Sequence, residues 1–472
     1  MDFTPDVHQW AQQNFGGVDL GDPRRGRRMV DCAARIATHP EKSFPQIFDW
    51  DQLRAFYRLC DQQTATLQAI QQPHWEATRL AMGELPVALI VHDTTELDFT
   101  SHHALEGTGP IGNDKGRGFL QHNSLAFSPD GSRLLGLVYQ QLKVRHPAPD
   151  KESRRDRKKR ERESLMWLEG IRAAGRPPEG SMWIDIGDRG ADIYEAMEAS
   201  LAVGHEFLFR ACQNRFVFAD ADHTRGVYLM DYARGLAAAG DDRVEVPGRG
   251  GRPPRTAKVR LASAPVWVPA PGTTAKRASR PVLATWVVRI WEVDPPPEVK
   301  EPLEWVLLTS VATEAVEQMK QRRDWYGHRW GAEVFHDVEK NGCSEEARRF
   351  ETAPRMETCL AVLAVVSVRV YQLRLAVEQA PQADAAEVAT QEEQEVVKKW
   401  LKTEKRSLTV REFVHAIAKL GGFLGRKRDG DPGIRALWRG YQRLQDMVSG
   451  YRLSRREQKK NRSPGLLLVG NR

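Results

Sequence analysis

Residues 85–99 read LPVALIVHDTTELDF, and this stretch decides the fold class. It is a β-rich run that follows a segment of helical pattern. Two further β-rich runs come next, FLQHNSLAF (119–127) and LLGLVYQQLKV (134–144), with turn signals such as SPDGS between them. The three runs predict three successive strands in a meander.

The order of elements after the meander is that of an α/β protein. A charged helix is expected up to about residue 175, then a strand in MWIDIGD (182–188), a helix in ADIYEAMEASLAVG and a strand in EFLFRAC (206–212). An RNase H-like mixed sheet would show this order. Residues 213–310 contain Gly/Pro-rich breaks between β-type runs, which indicates an inserted, mainly β subdomain.

Helical patterns dominate both ends of the chain. We therefore predict a helical N-terminal DNA-binding domain (1–80), an RNase H-like catalytic domain (81–375, with the insert at 213–310) and a helical C-terminal region for dimerisation and DNA contact (376–472). The functional names of these domains rest on the family resemblance given below. The apolar run ETCLAVLAVVSVRVYQLRLAV is interrupted by Arg369 and Arg374, so it predicts a buried helix and not a membrane span.

The positive charge is unevenly placed. The 472 residues contain 70 Lys+Arg and 63 Asp+Glu, a net charge of +7. Basic runs lie at 24–28, at 151–162 with eight Lys/Arg against three acids, at 249–260 and at 452–462. One such run is usually a solvated face, but four runs beside a nearly balanced remainder favour a polyanionic partner.

The first of these runs coincides with a helix start. Asp22 is the expected N-cap and Pro23 the first helical residue, so the arginines crowd a first turn where the helix dipole disfavours cations. The free N–H groups of that turn suit a phosphate, and a bound DNA backbone would reconcile the two.

The sequence also bears on the cellular compartment. No apolar run approaches the roughly 18 to 20 residues of a membrane span, and the start MDFTPDVHQW lacks the pattern of a signal peptide. Five widely spaced cysteines without a CxxC pair fit reduced thiols. A cytoplasmic protein is therefore expected.

Three acids are candidates for phosphodiester chemistry, which needs carboxylates that converge from separate elements. Asp93 lies within an apolar strand, Asp188 ends another strand, and Glu333 lies in the helical segment RRDWYGHRWGAEVFHDVEK. Each has a simpler interpretation: Asp93 on a solvent-facing edge, Asp188 as the N-cap of the next helix, Glu333 as an exposed helix acid.

The helical segment favours the functional interpretation. At about 100° per residue, Tyr326, Arg329, Glu333 and Lys340 fall on one face of a single helix. An adjoining apolar stripe that can pack against the sheet is expected at Trp330, Val334 and Val338.

The same four residues carry a family resemblance. They have the identities and spacing of the Y-(2)-R-(3)-E-(6)-K signature of bacterial DDE transposases of the insertion-sequence-four group, related to the transposon-five transposase. Other segments resemble that family's blocks in the family's order: LGDPRRGRR, AFYRL, HDTTEL, DRGADIYEA, LEWVLLTS, YGHRWGAEVFH and LGGFLGRKR.

This resemblance implies roles for single residues. Asp93, Asp188 and Glu333 would be the catalytic triad that binds two Mg²⁺ ions, for which Mn²⁺ is expected to substitute. The DNA-binding residues would be Tyr326, Arg329 and Lys340 on end phosphates, Trp305 on a flipped base, and Arg24, Arg25 and Arg28 at the end sequence.

The implied activity is cut-and-paste transposition by a homodimer, in the cytoplasm and associated with the nucleoid. It binds transposon-end inverted repeats, cleaves them through a hairpin intermediate and joins the 3′ ends to target DNA. The chain departs from the related sequence at Gly190, where that sequence carries an acid, and in the more basic 151–162 run.

Two other interpretations remain open. One is a catalytically inactive, transposase-derived DNA-binding or regulatory protein. The other is a tyrosine recombinase that uses Tyr326 as its nucleophile, which would leave the three acids without a role.

Overall fold

The computed structural model describes residues 3–112, 115–146, 162–246, 254–272, 278–426 and 432–462. The chain is divided into two compact units. The first consists of Thr66–His336 and Arg349–Glu357, and the second of Asp2–Ala65, Asp337–Arg348 and Thr358–Arg472. The predicted basic run at 151–162 and the start of the run at 249–260 fall largely outside the described residues. The predicted domain boundaries at residues 80 and 375 stay predictions.

Helices occur throughout the described chain and form both of its ends. They are α1 (Val7–Phe15), α2 (Pro23–Thr38), α3 (Phe44–Ile47), α4 (Trp50–Cys60), α5 (Leu67–Gly83), α6 (Leu165–Ala174), α7 (Tyr194–Val203), α8 (Leu229–Gly235), α9 (Val316–Gly327), α10 (Trp330–Asp337), α11 (Ala353–Gln379), α12 (Gln391–Leu401), α13 (Val410–Leu420) and α14 (Ile434–Arg462). Short 3₁₀ turns lie at Arg189–Ala191, Glu345–Ala347 and Ala385–Glu387, and a π-helical turn at Val338–Gly342.

The strands all join one mixed sheet in the first unit. They are β1 (Val87–Asp98), β2 (Gly109–Ile111), β3 (Gly116–Phe127), β4 (Leu134–Lys143), β5 (Met182–Gly187), β6 (Glu206–Arg210), β7 (Phe216–Phe218), β8 (Gly226–Tyr228), β9 (Gly240–Val246), β10 (Arg255–Pro269), β11 (Val282–Glu292) and β12 (Glu304–Thr309). The strand order is β2-β3-β1-β5-β6-β12-β11-β10-β7-β8, with β4 on β3 and β9 on β10.

The predicted meander and the α/β order are confirmed. β1, β3 and β4 are successive antiparallel neighbours, and β5 and β6 add to β1 in parallel. β1 is buried from Ala88 to Val91 because it lies between β3 and β5, which explains its uninterrupted apolar run. The mixed α/β sheet with helical regions at both ends agrees with the predicted RNase H-like class.

The strands from the predicted insert do not form a separate sheet. β12 pairs with β6 and carries β11 and β10 behind it, so these strands extend the central sheet. Their inward side chains, including Val266, Val287 and Leu308, join one core with Phe207 and Phe209 of β6. The mainly β segment 213–310 therefore extends the central sheet beyond β6.

The long apolar helix α11 is a core helix, as predicted. By length and composition it is the one helix among the described residues that could cross a membrane, yet 83% of its apolar window is buried within the protein. Arg369, which interrupts the apolar run, donates to the carbonyl of Pro5 at 2.8 Å and lies over the ring of Trp10. These contacts account for a charged residue inside an apolar helix.

Candidate active site

Two of the three predicted acids are brought together by strand register. β1 and β5 are parallel, and their last paired residues are His92 and Gly187. The next residue on each strand is an aspartate, so Asp93 and Asp188 lie side by side where β5 ends. Asp93 is also paired with Asn123 of β3, which fixes its depth in the sheet.

The third acid comes from a helix that approaches the sheet closely. Glu333 lies in the first turn of α10, where the helix dipole favours a carboxylate. Gly331 makes the approach possible, because a Cβ at that position would come within 2.6 Å of the Phe127 ring at the end of β3. Phe127 is buried and cannot readily move aside.

Arg329 lies between two of the three acids and interacts with both. One terminal nitrogen of Arg329 lies 2.5 Å from Oε1 of Glu333, and the other lies 3.6 Å from Oδ2 of Asp93. Burial raises the pKa of Asp93 to about 6; Arg329 opposes this shift, and the charges of Asp188 and Glu333 add to it. The predicted triad thus forms one interacting group, in which a single arginine balances part of the negative charge.

Asp188 also has the simpler role that its position suggested. Its Oδ1 accepts from the backbone N–H of Gly190 at 2.7 Å and caps the 3₁₀ turn that follows β5. A Cβ at Gly190 would contact Trp167 at 2.9 Å. The absence of an acid at position 190, where the related sequence carries one, therefore agrees with the packing beside Trp167.

An aromatic and basic wall lies beside the acids. The rings of Trp305 and Tyr326 meet edge to face, with centroids 5.1 Å apart. Arg210, at the end of β6, lies close enough to the Tyr326 hydroxyl to oppose the rise in its pKa that burial causes. Trp305, Tyr326, Arg210 and Arg329 all line a cavity of about 1080 Å³, and Trp330 contributes a half-exposed indole to it.

Arg210 was missed at the sequence level. It lies at the end of the apolar run EFLFR, and a cation at the end of a buried strand is the signal that would have identified it. Asp93 is identified by the same signal, a charged residue within a buried apolar strand.

The prediction of one continuous helix with a shared polar face is wrong. α9 ends at Gly327, α10 starts at Trp330, and the π-helical turn begins at Val338. Glycine weakens a helix, and a π-helical turn changes the angle per residue, so extrapolation at 100° per residue fails along this segment. Arg329 and Glu333 still meet, but Tyr326 lies in the preceding helix.

The predicted apolar stripe is only partly correct. Val338 is buried, but Trp330 is 50% exposed and lines the cavity. The buried residues of α10 are instead Gly331, Ala332, Phe335 and His336. The small residues replace the expected large ones because the helix lies close to the sheet.

Lys340 is placed in the second unit. Its ammonium lies 3.8 Å from a carboxylate oxygen of Glu346, across the π-helical turn and the 3₁₀ turn that follows. Its proposed contact with an end phosphate stays a prediction.

The acids are chemically suited to a hard divalent cation. They supply carboxylate oxygens from two strands and a helix, and such oxygens are the ligands that Mg²⁺ prefers. In the described part of the chain, no group of three or more His, Cys, Asp or Glu is preassembled for a metal. The guanidinium of Arg329 binds Glu333 and approaches Asp93.

Comparison with known families identifies the two ends of the chain. Residues 7–65 match the family described as Transposase DNA-binding, and residues 365–460 match the Transposase Tn5 dimerisation domain. These two matches support a Tn5-like transposase. DNA and a second copy of the chain are therefore partners of this transposase.

The DNA-binding region of the transposase contains the predicted arginines. Asp22 caps α2 and accepts hydrogen bonds from the backbone and side chain of Arg24, which lower its pKa to about 2. Arg25 donates to the carbonyl of Leu20 at 2.9 Å, while Arg28 is exposed. Arg24 and Arg25 thus also stabilise the start of α2, and their contacts with DNA stay predictions.

Proposed function

We propose that this transposase cuts and pastes DNA: it binds the ends of a mobile element, cleaves them through a hairpin intermediate and joins the 3′ ends to target DNA. The observation that carries the proposal is the grouping of Asp93, Asp188 and Glu333: Arg329 pairs with Glu333 and approaches Asp93, and the charges of Asp188 and Glu333 both act on Asp93. Acids from two strand ends and a helix have no purely structural need to meet, whereas phosphodiester chemistry requires such a group.

Asp93, Asp188 and Glu333 are the residues that would hold two Mg²⁺ or Mn²⁺ ions. When bound, these ions activate water or a 3′-OH and stabilise the attacking and leaving oxygens of each in-line step. The raised pKa of Asp93 is that of a buried acid with too little positive charge around it, which is the environment that a cation would complete.

The surrounding residues would position the DNA. Arg329, once released from the carboxylates, can reach a phosphate beside them, and Arg210 and Tyr326 form a basic and aromatic edge along the same cavity. Trp305 would stack on the base that a tight hairpin expels. The cavity of about 1080 Å³ is larger than one base needs, so it accommodates the adjoining sugar and phosphate as well.

The test is a cleavage reaction with the transposase and labelled duplexes that carry the inverted repeats flanking its own gene. With Mg²⁺ we expect a nick, then a hairpin, and no product in EDTA. Binding without any cleavage in Mg²⁺ or Mn²⁺ would instead identify an inactive, transposase-derived DNA-binding protein.

The same reaction distinguishes the metal-dependent proposal from the interpretation as a tyrosine recombinase. That enzyme needs no metal and would leave a covalent adduct through Tyr326. Tyr326 is only 4% exposed and its pKa is raised by burial, both of which disfavour a nucleophilic role. A covalent adduct formed in EDTA would contradict the metal-dependent proposal.

A further inference from the structure

A basic segment outside the four runs lies in the second unit, between α12 and α13. From Lys398 to Lys419 the chain carries seven Lys/Arg and two Glu. The segment lies within the residues that match the dimerisation family, and that match gives no reason for the positive charge.

The segment forms a groove of about 570 Å³. Its polar lining consists mainly of Thr403, Lys405, Thr409, Arg411, Glu412 and Lys419. The one acid in this set is already engaged: Glu412 lies 2.5 Å from the ammonium of Lys405 and 3.1 Å from the N–H of Thr409. These bonds lower the pKa of Glu412, which stays charged and neutralises Lys405.

The acids of α12 face the other way. Glu392 pairs with Arg452 at 2.7 Å, and Glu395 accepts from the hydroxyl of Tyr451 at 3.0 Å. Both partners belong to α14, so this negative charge is used in packing helices together and leaves the groove positive.

Three exposed cations lie at or next to the groove: Lys419 lines it, and Lys402 and Arg406 each adjoin a lining residue in the sequence. Lys402, Arg406 and Lys419 form no salt bridge with any acid among the described residues. Lys402 is the C-cap residue of α12 and has a positive φ of 53°. Packing of the protein itself gives these three charges no use.

We propose that this groove binds the phosphate backbone of duplex DNA, independently of base sequence. Lysine and arginine recognise phosphate by charge, and each neutralised phosphate releases counterions, so the contact strengthens binding without specifying a site. The surface would let each protomer hold DNA outside the end sequence that the N-terminal region recognises.

The test measures binding alone, in EDTA, with the full-length protein and a random-sequence duplex. A triple variant, Lys402→Ala, Arg406→Ala and Lys419→Ala, should lower the log-log salt slope by up to about 2.7, or 0.9 for each lost contact. Between 50 and 200 mM salt the wild type would then weaken by about 40-fold more than the variant. The matched control replaces three exposed cations elsewhere with alanine: Arg172, Arg176 and Lys300.

Equal slopes for the two triple variants would overturn the proposal. So would loss of the dimer in the groove variant alone, which would make the groove a protein interface. On a duplex with the inverted repeat, the groove variant should lose the same number of phosphate contacts as it does on the random-sequence duplex. An effect confined to the inverted repeat would contradict sequence independence. Because no cleavage is needed, these outcomes do not depend on the catalytic proposal.

Discussion

Trp305 is the residue whose geometry most directly links the site to a hairpin. It is half-buried on β12, in edge-to-face contact with Tyr326, and it lines the large cavity. A sharp DNA hairpin forces a terminal base out of the stack at a cost of a few kcal/mol, and stacking on an aromatic ring offsets about 1 to 3 kcal/mol.

We predict that Trp305→Ala leaves the first nick almost unchanged and slows hairpin formation by roughly ten- to a hundredfold, at 1.4 kcal/mol per decade. Nicked intermediate should accumulate in a time course on end DNA. Trp305→Phe keeps an aromatic face and is the control. Equal loss of nicking and hairpin formation, or loss of folding, would make Trp305 a residue of the strand core.

At the scale of elements, the position of Glu333 depends on how closely α10 approaches β3. We predict that Gly331→Ala costs about 1 to 3 kcal/mol of stability, because the added methyl overlaps the buried Phe127 ring. The shift of α10 should also slow strand cleavage. Thermal unfolding and cleavage rates check this.

Gly327→Ala is the matched control, since a Cβ there meets nothing within 4 Å. It should leave stability unchanged or raise it slightly, because alanine favours a helix more than glycine does. If Gly331→Ala behaves like Gly327→Ala, the close approach of α10 does not position Glu333.

A buried polar network ties together the strands that carry the two aspartates. Asp185 of β5 accepts from His92 of β1 and from His205, each at 3.0 Å, and all three side chains are fully buried. His205 also donates to the carbonyl of Gly175 at 2.7 Å. Burial lowers the pKa of His205, but Asp185 outweighs it and the net pKa is raised.

This pKa predicts how stability depends on pH. A histidine whose folded pKa is raised stabilises the fold fully below its unfolded value near 6.5, and loses that contribution as pH rises through the folded value. The wild type should therefore lose stability from about pH 6.5 upwards, as followed by thermal unfolding.

His205→Gln should lower stability by roughly 3 to 5 kcal/mol near pH 6, because it removes the positive charge that balances the buried Asp185 carboxylate. It should also flatten the pH dependence above 6.5. The exposed His103 provides the control, His103→Gln, which should change neither. If the stability of His205→Gln depends on pH as that of the wild type does, His205 is not the source of the pH dependence.

Local pattern was enough to predict β1, β3, β4, β5 and β6, since apolar runs such as residues 88–91 are buried near the centre of the sheet. Asp93 and Asp188 could be singled out because each is an acid attached to such a run. The break between α9 and α10 could not be seen from periodicity, because the residues still recur at helical spacing on both sides of Gly327. Arg210 lines the same cavity as Trp305 because β6 pairs with β12, two strands that are about a hundred residues apart.

At the scale of the whole molecule, the DNA-binding match and the proposed catalytic acids lie in different segments. The DNA-binding match covers residues 7–65 in the second unit, whereas Asp93, Asp188 and Glu333 all lie in the first. Loss of a triad carboxylate should therefore affect the chemistry far more than the binding of DNA ends.

The most direct test of the central claim replaces each carboxylate with the amide of the same shape: Asp93→Asn, Asp188→Asn and Glu333→Gln. Strand cleavage and end binding are measured on the same end duplex, with Mg²⁺ and with Mn²⁺. The account predicts that every variant binds the ends nearly as the wild type does and that none cleaves them. Near-normal cleavage by any one of the three would contradict the triad.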